Sequence, residues 1–489
     1  MLFSSVTFIY YFLPGVLALY FAVLWLTRGR QQPGSRAVNA VLLVASFVFY
    51  AWGEPKYALL MAAEILFVWA VGLAQVKARK TRINGANSES ASNIEKLLLI
   101  ATVVIPLAIL GYFKYADFFI DSFNAVAGTE LPILRLALPI GISFYTFQMV
   151  SYSIDLYTGK VEEAGRNLID FACYVVLFVA LIAGPIVRYS EIAAQLIRRD
   201  HSIGGFADGV SRFAVGLAKK VLIANLCGEL VAILKDSPDE SVLATWLYVV
   251  AFALQIYFDF SGYSDMAIGL GAMFGFHLPE NFNYPYIATS ITDFWRRWHM
   301  TLSSWFRDYV YIPLGGSFVG APRQIRNIAV VWAATGFWHG AAWQFIGWGL
   351  FFALFLSIEK FAFGGALQRL SGPVGHIYLL LAVGISWVLF DAASFGDAGR
   401  TLGHLVGAGS SGLVGDESLY YLRSYAVMLL IGVIGATPLP ARLVHAIGER
   451  DWGIKLLTVA QHLGIVLLLL LATAFLVDGS FNPFIYFRF

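Results

Sequence analysis

One histidine, His339, lies in a long stretch of the chain that carries no acidic or basic side chain. The stretch runs from Asn327 to Ile358, which is 32 residues without Asp, Glu, Lys or Arg. A straight helix of that length would measure about 48 Å, and a bilayer core is only about 30 Å thick, so we expect it to bend or fold back at its glycines, nearest the histidine at Gly336 and Gly340. Burial disfavours imidazolium, so the ring should be neutral and able to accept a proton, as a general base must. The structural alternative is a core histidine bonded to a carbonyl or to Thr335.

A second histidine, His299, lies in a segment rich in tryptophan and arginine. Between Ile291 and Val310 the apolar side chains form one stripe at about 100° per residue, and the charged ones fall on the other side. The pattern predicts a helix in the cytoplasmic membrane interface with its tryptophans in the acyl region. It is either a simple anchor with an incidental histidine or the floor of a substrate entrance with arginines available to phosphate groups. The candidate tunnel or donor-binding residues of this segment are Arg296, Arg297, Trp298 and Arg307.

Two carboxylates, Asp259 and Asp265, interrupt a segment that is otherwise apolar enough to span a membrane. Carboxylates at membrane depth are costly, so they face protein or water and usually have a partner. Their spacing of six residues separates them by about 120° around a helix, so they do not form a same-face pair. They are either structural groups bonded to backbone or to arginines of neighbouring helices, or candidate tunnel residues. In a transporter they would form an ion relay with His339.

The composition places these residues in a polytopic membrane protein. Of the 489 residues, 59% are apolar or aromatic and 13% are charged, whereas soluble domains carry about 25% charged residues. A net charge of +2 gives no electrostatic support to a nucleic-acid partner. Cys173 and Cys227 lie far apart in apolar segments, which indicates buried small side chains and neither a disulfide scaffold nor a zinc site. The serine-hydrolase, ATP-binding, zinc-peptidase and dinucleotide motifs are absent. A membrane enzyme with one buried histidine and no obvious nucleophile fits direct group transfer onto a hydroxyl.

Apolar runs of roughly 20 residues predict where the chain crosses the bilayer. The candidate spans are 1–27, 37–53, 57–76, 97–115, 133–152, 168–187, 207–234, 242–276, 327–358, 376–390, 421–437 and 456–477. The segment 133–152 is broken at Pro139-Ile140-Gly141 and is expected to be re-entrant, which leaves about 11 to 12 full spans. Basic loops on the cytoplasmic side place both termini outside. Because no linker divides the chain, we expect a single domain over residues 1–489.

Four stretches resemble the membrane-bound O-acyltransferases, in the branch of the alginate O-acetyltransferases. They are Leu138–Tyr145 with Ser151–Asp155, Tyr257–Gly269, Phe294–Ser303 with Arg307–Tyr309 and Leu314–Gly316, and Phe337–Ala341. The opening Phe3-Ser-Ser and the closing Phe484–Phe487 are similar to the same branch. The resemblance therefore extends over nearly the whole chain.

This resemblance implies a helical bundle around a central tunnel, with a cytoplasmic entrance for an acyl thioester and a funnel on the other side. The family's hallmark histidine corresponds to His339, beside Trp338, and a second functional position corresponds to Trp298-His299. The implied activity is an O-acetyltransferase of the bacterial inner membrane. It would pass acetyl from cytoplasmic acetyl-CoA towards hydroxyls of an alginate-like exopolysaccharide through a periplasmic partner, with no bound cofactor or metal.

Several alternatives stay open from the sequence. Within the enzyme class, the chain could transfer D-alanyl or another acyl group to a cell-wall polymer. Outside it, the chain could be the transporter described above or a non-catalytic scaffold of an export complex. For the enzyme, His339 could act as a general base or carry a covalent acetyl group.

Overall fold

The backbone is built of α-helices, as expected for apolar segments whose peptide groups must be satisfied internally in a bilayer. The computed structural model describes residues 1–27, 35–83, 88–162, 165, 167–363 and 372–478, and no β-strand occurs within these ranges. The prediction of an all-α polytopic membrane protein is confirmed. The closing motif Phe484–Phe487 lies outside the described residues.

The helices are numbered here in chain order. The first are α1 (Leu13–Leu26), α2 (Ser35–Ala51), α3 (Pro55–Ile83), α4 (Ser88–Ala127), α5 (Ile142–Thr158), α6 (Leu168–Val176), α7 (Phe178–Leu181), α8 (Tyr189–Ile197), α9 (Ile203–Ala218) and α10 (Asn225–Asp236). They are followed by α11 (Val242–Met273), α12 (Ile291–Trp295), α13 (Met300–Phe306), α14 (Ala321–His339), α15 (Trp343–Ile358), α16 (Gly372–Asp391), α17 (Phe395–Leu405), α18 (Asp416–Gly435), α19 (Leu439–Gly448) and α20 (Asp451–Val477).

In the described part of the chain, eight helices are long and apolar enough to cross a membrane. They are Phe8–Leu26, Pro55–Ile83, Glu89–Ala127, Val242–Met273, Trp343–Phe363, Gly372–Asp391, Asp416–Gly435 and Asp451–Val477. The number is lower than expected because several apolar segments are divided. Residues 168–187, for example, form α6 and the single-turn α7, separated at Leu177, and the side chains from Phe171 to Val187 are buried in protein.

The segment 133–152 contains the predicted break but is not a single helical segment. Residues 129–139 are without regular structure, and α5 begins at Ile142 after Gly141. Gly141 has a φ of 74°, and a Cβ atom there would lie 2.7 Å from the carbonyl oxygen of Leu181. Only glycine fits this backbone and this contact. Because 14 of the 17 side chains of α5 are buried, the helix is surrounded by protein on nearly all sides.

The helices form two compact units. The first comprises Met1–Val210 and Ala267–Pro279, and the second comprises Ser211–Met266 and Glu280–Phe489. Each unit holds one buried free cysteine, Cys173 or Cys227, as expected for small apolar side chains. Both candidate catalytic histidines belong to the second unit, while the expectation of a single domain stays a prediction.

Candidate active site

His339 is the last residue of α14, at the tip of a helical hairpin. The chain leaves the helix at Gly340, which is extended, and enters α15 at Trp343 after an extended Ala342. The charge-free stretch therefore folds back, and it does so beside the histidine at the predicted glycine. The hairpin presents the imidazole at a helix end, where its neighbours come from other helices.

Two glycines bring the helices of this hairpin into backbone contact. A Cβ atom on Gly336 would collide with the carbonyl group of Phe345, and one on Gly349 would collide with that of Trp332. Small residues at a helix interface permit such an approach in membrane proteins. The position of His339 is thus fixed by the packing of α14 on α15.

Aromatic rings surround the imidazole of His339, which is 8% exposed. Its centroid lies 5.0 Å from the Trp338 ring, 5.1 Å from the Trp348 ring and 5.5 Å from the Phe390 ring. The three interplanar angles are 76°, 86° and 82°. Edge-to-face contacts of this kind are favourable and directional, so they hold the plane of the imidazole.

The segment around His299 is not the interfacial helix that the apolar stripe predicted. It consists of α12, a turn and α13, and His299 in the turn has a φ of 42° and a ψ of 53°. Trp295, Trp298 and Trp305 are 6%, 3% and 5% exposed, so they contact protein and not acyl chains. The prediction was wrong because the same periodicity arises when two short helices turn their apolar faces to the protein interior.

His299 itself is completely buried. Its imidazole centroid lies 4.6 Å from the Phe260 ring, and its Nδ1 atom lies 3.1 Å from the side-chain oxygen of Asn281. Burial, and to a smaller extent the nearby His339, lower the pKa of His299 well below its ordinary value of 6.5. The ring is therefore neutral at physiological pH.

Trp338 links the two histidines. The centroid of its ring lies 6.0 Å from that of His299 and 5.0 Å from that of His339. Three residues that the sequence singled out in two separate motifs are thus brought together in the second unit.

A cavity of about 570 Å³ lies close to this cluster, between the residues 290–311 and the hairpin of α14 and α15. Trp295 and Trp332 contribute aromatic walls, and Thr335 lines the cavity one helical turn before His339. Its lining includes three cationic side chains, Arg296, Arg307 and Lys360, and two carboxylates, Asp293 and Glu359. The cavity combines an apolar interior with several cations.

The cations differ in how they are held. Arg296 is exposed and forms no ion pair with any residue in the described ranges. Arg307 pairs with Asp308 at 2.7 Å, which raises the pKa of Arg307 and keeps it charged. Arg297 pairs with Asp293 at 3.0 Å, and neither Arg297 nor Trp298 is part of the cavity lining.

Asp259 and Asp265 are both ion-paired, and neither lines the cavity. The Lys220 ammonium lies 2.7 Å from Asp259, and the Lys219 ammonium lies 2.7 Å from Asp265. A further contact of 3.0 Å joins Asp265 to Arg212. These basic partners lie in α9 and in the π-helical turn Lys219–Ala224. The sequence predicts this region, 207–234, only as a membrane span.

Sequence reasoning also missed Glu359, whose carboxylate holds the start of α12. It accepts hydrogen bonds from the backbone amides of Ile291 and Thr292 at 2.6 and 2.9 Å, and from the Thr292 hydroxyl at 2.6 Å. An acid that directly follows a 32-residue stretch without charge was the available signal. Within the described residues, no three His, Cys, Asp or Glu side chains are grouped so that they could hold a metal ion.

Comparison with known proteins shows the family of this chain. The model of the membrane-bound O-acyltransferase family matches residues 147–372, which contain both histidines. Over its full length the chain is 38% identical to the full length of the "Probable alginate O-acetylase AlgI" of Azotobacter vinelandii. The chain belongs to the membrane-bound O-acyltransferase family. Within that family it lies in the alginate O-acetylase branch, so it is a multi-pass membrane O-acyltransferase.

Two further relatives of this chain act on cell-wall polymers, by their names. The peptidoglycan O-acetyltransferase of Helicobacter pylori is 32% identical over 100% of this chain and 98% of its own. The teichoic acid D-alanyltransferase of Bacillus subtilis is 30% identical over 45% of this chain and 59% of its own. The O-acetyltransferases are thus similar along the whole length, and the D-alanyltransferase over less than half of it.

Proposed function

We propose that this O-acyltransferase moves acetyl groups from cytoplasmic acetyl-CoA across the bacterial inner membrane towards hydroxyls of an exopolysaccharide, through a periplasmic acceptor protein. The observation that carries the proposal is the hairpin of α14 and α15. It holds His339 one helical turn beyond the Thr335 wall of a cavity with several cations. The full-length similarity to alginate and peptidoglycan O-acetylating enzymes supports acetyl as the group and a polysaccharide as its destination.

The cavity suits a coenzyme A thioester. Its volume of about 570 Å³ lies within the usual range for ligand pockets, about 300–1,000 Å³. Arg296, Arg307 and Lys360 would bind the nucleotide phosphates, since guanidinium and ammonium groups form strong charge-assisted hydrogen bonds with phosphate. The tryptophan walls would contact the pantetheine arm, which would carry the thioester past Thr335 towards His339.

The two ends of α15 support this direction of transfer. Its C-terminal end, with Glu359 and Lys360 directly after it, lines the cavity. The 16 residues of α15 span about 24 Å, most of the bilayer core, before the other end next to His339. Basic residues at membrane helix ends mark the cytoplasmic side, and Arg323, Arg326 and Lys360 are all at the cavity end. The donor would enter there, the acceptor would approach His339 from the outside, and both termini would be external.

In the proposed reaction, the acceptor hydroxyl attacks the thioester carbonyl carbon. His339 takes the hydroxyl proton as the new C–O bond forms. The C–S bond then breaks, and the coenzyme A sulfur leaves with that proton, which His339 returns. In the covalent variant, His339 Nε2 or Nδ1 first displaces coenzyme A as its thiolate. The hydroxyl then attacks acetyl-histidine, the imidazole of His339 is released, and the hydroxyl proton passes to the thiolate.

The test uses purified protein in nanodiscs with radiolabelled acetyl-CoA and a candidate periplasmic acceptor. His339→Ala and His339→Gln should lose at least about 100-fold in transfer, the usual contribution of a general base. His462→Ala serves as a matched control, because His462 is exposed on α20 and, among the described residues, bonds only to Thr458 of its own helix. Unchanged transfer in the His339 variants would refute the site. Transfer from a D-alanyl carrier protein and none from acetyl-CoA would refute the acetyl donor.

A further inference from the structure

Asn281 makes several hydrogen bonds to the segment that carries His299. Its side-chain oxygen lies 3.1 Å from Nδ1 of His299, 3.3 Å from the backbone nitrogen of Thr301 and 2.9 Å from the Thr301 hydroxyl. Its amide nitrogen donates to the hydroxyl of Ser264 at 3.1 Å. Asn281 is 1% exposed, so all these bonds are shielded from water.

The backbone around Asn281 also forms hydrogen bonds to the turn that carries His299. The amide of Met300 donates to the carbonyl of Asn281 at 3.0 Å, and the amide of Asn283 donates to the carbonyl of Arg297 at 2.9 Å. His299 lies between these two bonds with its left-handed φ of 42°. A non-glycine residue in this conformation costs about 1–3 kcal/mol and persists where its surroundings hold it there. The residues 281–283 therefore clamp the turn that carries His299.

These bonds determine which nitrogen of His299 carries the proton. The backbone nitrogen of Thr301 can only donate, so the atom of Asn281 that faces it must be the amide oxygen. An amide oxygen only accepts, so Nδ1 of His299 must be the donor. In the neutral ring the proton is then on Nδ1, and Nε2 carries a lone pair. Nε2 is buried and has no hydrogen-bond partner among the described residues.

We propose that Asn281 is a positioning residue that fixes His299 in the Nδ1-protonated form and thereby presents Nε2 as a hydrogen-bond acceptor in the acyl-transfer site. Nε2 would accept its hydrogen bond from a hydroxyl or N–H group of a substrate bound at the cluster of His299, Trp338 and His339, whereas the proton of the attacking hydroxyl passes to His339. This inference rests on the proposed function. It assigns no proton transfer to Asn281, which acts only through His299.

Position 281 carries a neutral amide and not a carboxylate, and this difference affects the charge of His299. An aspartate at position 281 would also accept from Nδ1, but its charge would favour the imidazolium form of His299. A protonated Nε2 would donate and could no longer accept. A neutral amide orients the ring and leaves it uncharged, which agrees with the lowered pKa of His299.

The experiment compares four variants of the full-length protein in nanodiscs. Asn281→Ala removes the acceptor, and Asn281→Asp keeps it and adds a charge. Thr301→Val and Ser264→Ala are matched controls, since each removes one other bond of Asn281 and leaves its bond to His299 intact. Acetyl transfer is measured from about pH 5.5 to about pH 8.5, a range in which a perturbed histidine titrates.

We expect Asn281→Ala to lower kcat about 10- to 100-fold, which is the loss typical when a group that orients a metal-binding histidine is removed. Its KM for acetyl-CoA should hardly change, because Asn281 does not line the cavity. Asn281→Asp should be slow at low pH and recover as the pH rises and His299 loses its proton. The two control variants should keep the pH profile of the natural protein.

Natural rates and an unchanged pH profile in both Asn281 variants would overturn the inference. The same altered profile in Thr301→Val or Ser264→Ala would also overturn it, because the effect would then come from packing. A separate measurement covers the case in which the protein accepts no acetyl-CoA and the proposed function fails. In ¹⁵N-histidine NMR spectra, the signals missing from His299→Gln should show a protonated Nδ1 and a bare Nε2, and the reverse assignment would refute the inference.

Discussion

Replacing Asp259 by Leu should strongly destabilise the protein, whereas replacing Lys220 by Met at the same time should restore most of the stability. The two side chains form an ion pair with 2.7 Å between the ammonium nitrogen and the carboxylate oxygen. They are 2% and 3% exposed, and the ammonium also donates to the Asn225 side-chain oxygen at 2.9 Å. If the pair is purely structural, each of the two charges serves only to compensate the other one in the protein interior.

The expected magnitudes follow from this burial. Removing one partner of a buried ion pair costs about 3–5 kcal/mol, because the remaining charge loses its counter-ion in a medium of low polarity. Replacing both partners by apolar side chains of similar volume is about neutral or mildly stabilising. The double-mutant cycle should therefore give a coupling energy of roughly 3 kcal/mol or more. Asp265→Leu should cost less, because Asp265 and its partners Lys219 and Arg212 are 16%, 26% and 33% exposed and thus reached by water.

Unfolding is measured in detergent for the two single variants, the double variant and Asp265→Leu, and acetyl transfer is measured at low temperature where all remain folded. The double variant should transfer acetyl at close to the natural rate. Proton flux in liposomes is measured in parallel. A stable Asp259→Leu protein that has lost transfer or an ion flux would refute the reasoning. A double variant as unstable as the single ones would refute it as well.

Three other perturbations test the histidines, the hairpin and the cavity. Folding lowers the pKa of His299, so below pH 6.5 the unfolded chain binds more protons than the folded protein. The free energy of unfolding should therefore decrease as the pH is lowered through this range, by up to about 1.4 kcal/mol per pH unit. This component should disappear in His299→Gln, and an equal slope in both proteins would contradict it. Gly336→Ala should cost at least about 2 kcal/mol from the collision with Phe345, whereas Gly464→Ala on α20, with nothing within 4 Å, should be neutral or gain up to about 1 kcal/mol. Replacing Arg296 and Lys360 by Gln should raise the KM for acetyl-CoA about tenfold for each charge and leave that for S-acetylpantetheine unchanged, and equal effects on both donors would exclude phosphate binding.

The hairpin could be predicted because its cause is local. A charge-free stretch longer than the bilayer must fold back, and glycines near His339 mark where. The interfacial helix at 291–310 could not be predicted correctly, since periodicity shows that one face is apolar but not what covers it. Phe294 and Trp298 are buried on protein, and only the φ of 42° at His299 reveals the break in the helix.

The residues that complete the site come from distant segments, and they could not be predicted from the sequence. Asn281 lies 18 residues before the histidine it orients, in a stretch without periodicity. Glu359 lies 67 residues after Thr292, and its carboxylate accepts hydrogen bonds from the amide and the hydroxyl of Thr292. Tertiary packing determines such partners. A single asparagine or glutamate in the sequence does not indicate which distant residue it will contact.

The partners of the buried ionisable groups favour the interpretation of the chain as an enzyme over its interpretation as a transporter. Asp259 and Asp265, the carboxylates that suggested an ion relay, are each held by lysine at 2.7 Å. A relay group must face the path that the ion takes, and neither carboxylate lines the cavity. His299 is instead held by a neutral amide and packed against Phe260, an environment that keeps an imidazole uncharged. A site built from a neutral, oriented histidine suits proton transfer within a bond-forming step, and it suits the passage of ions poorly.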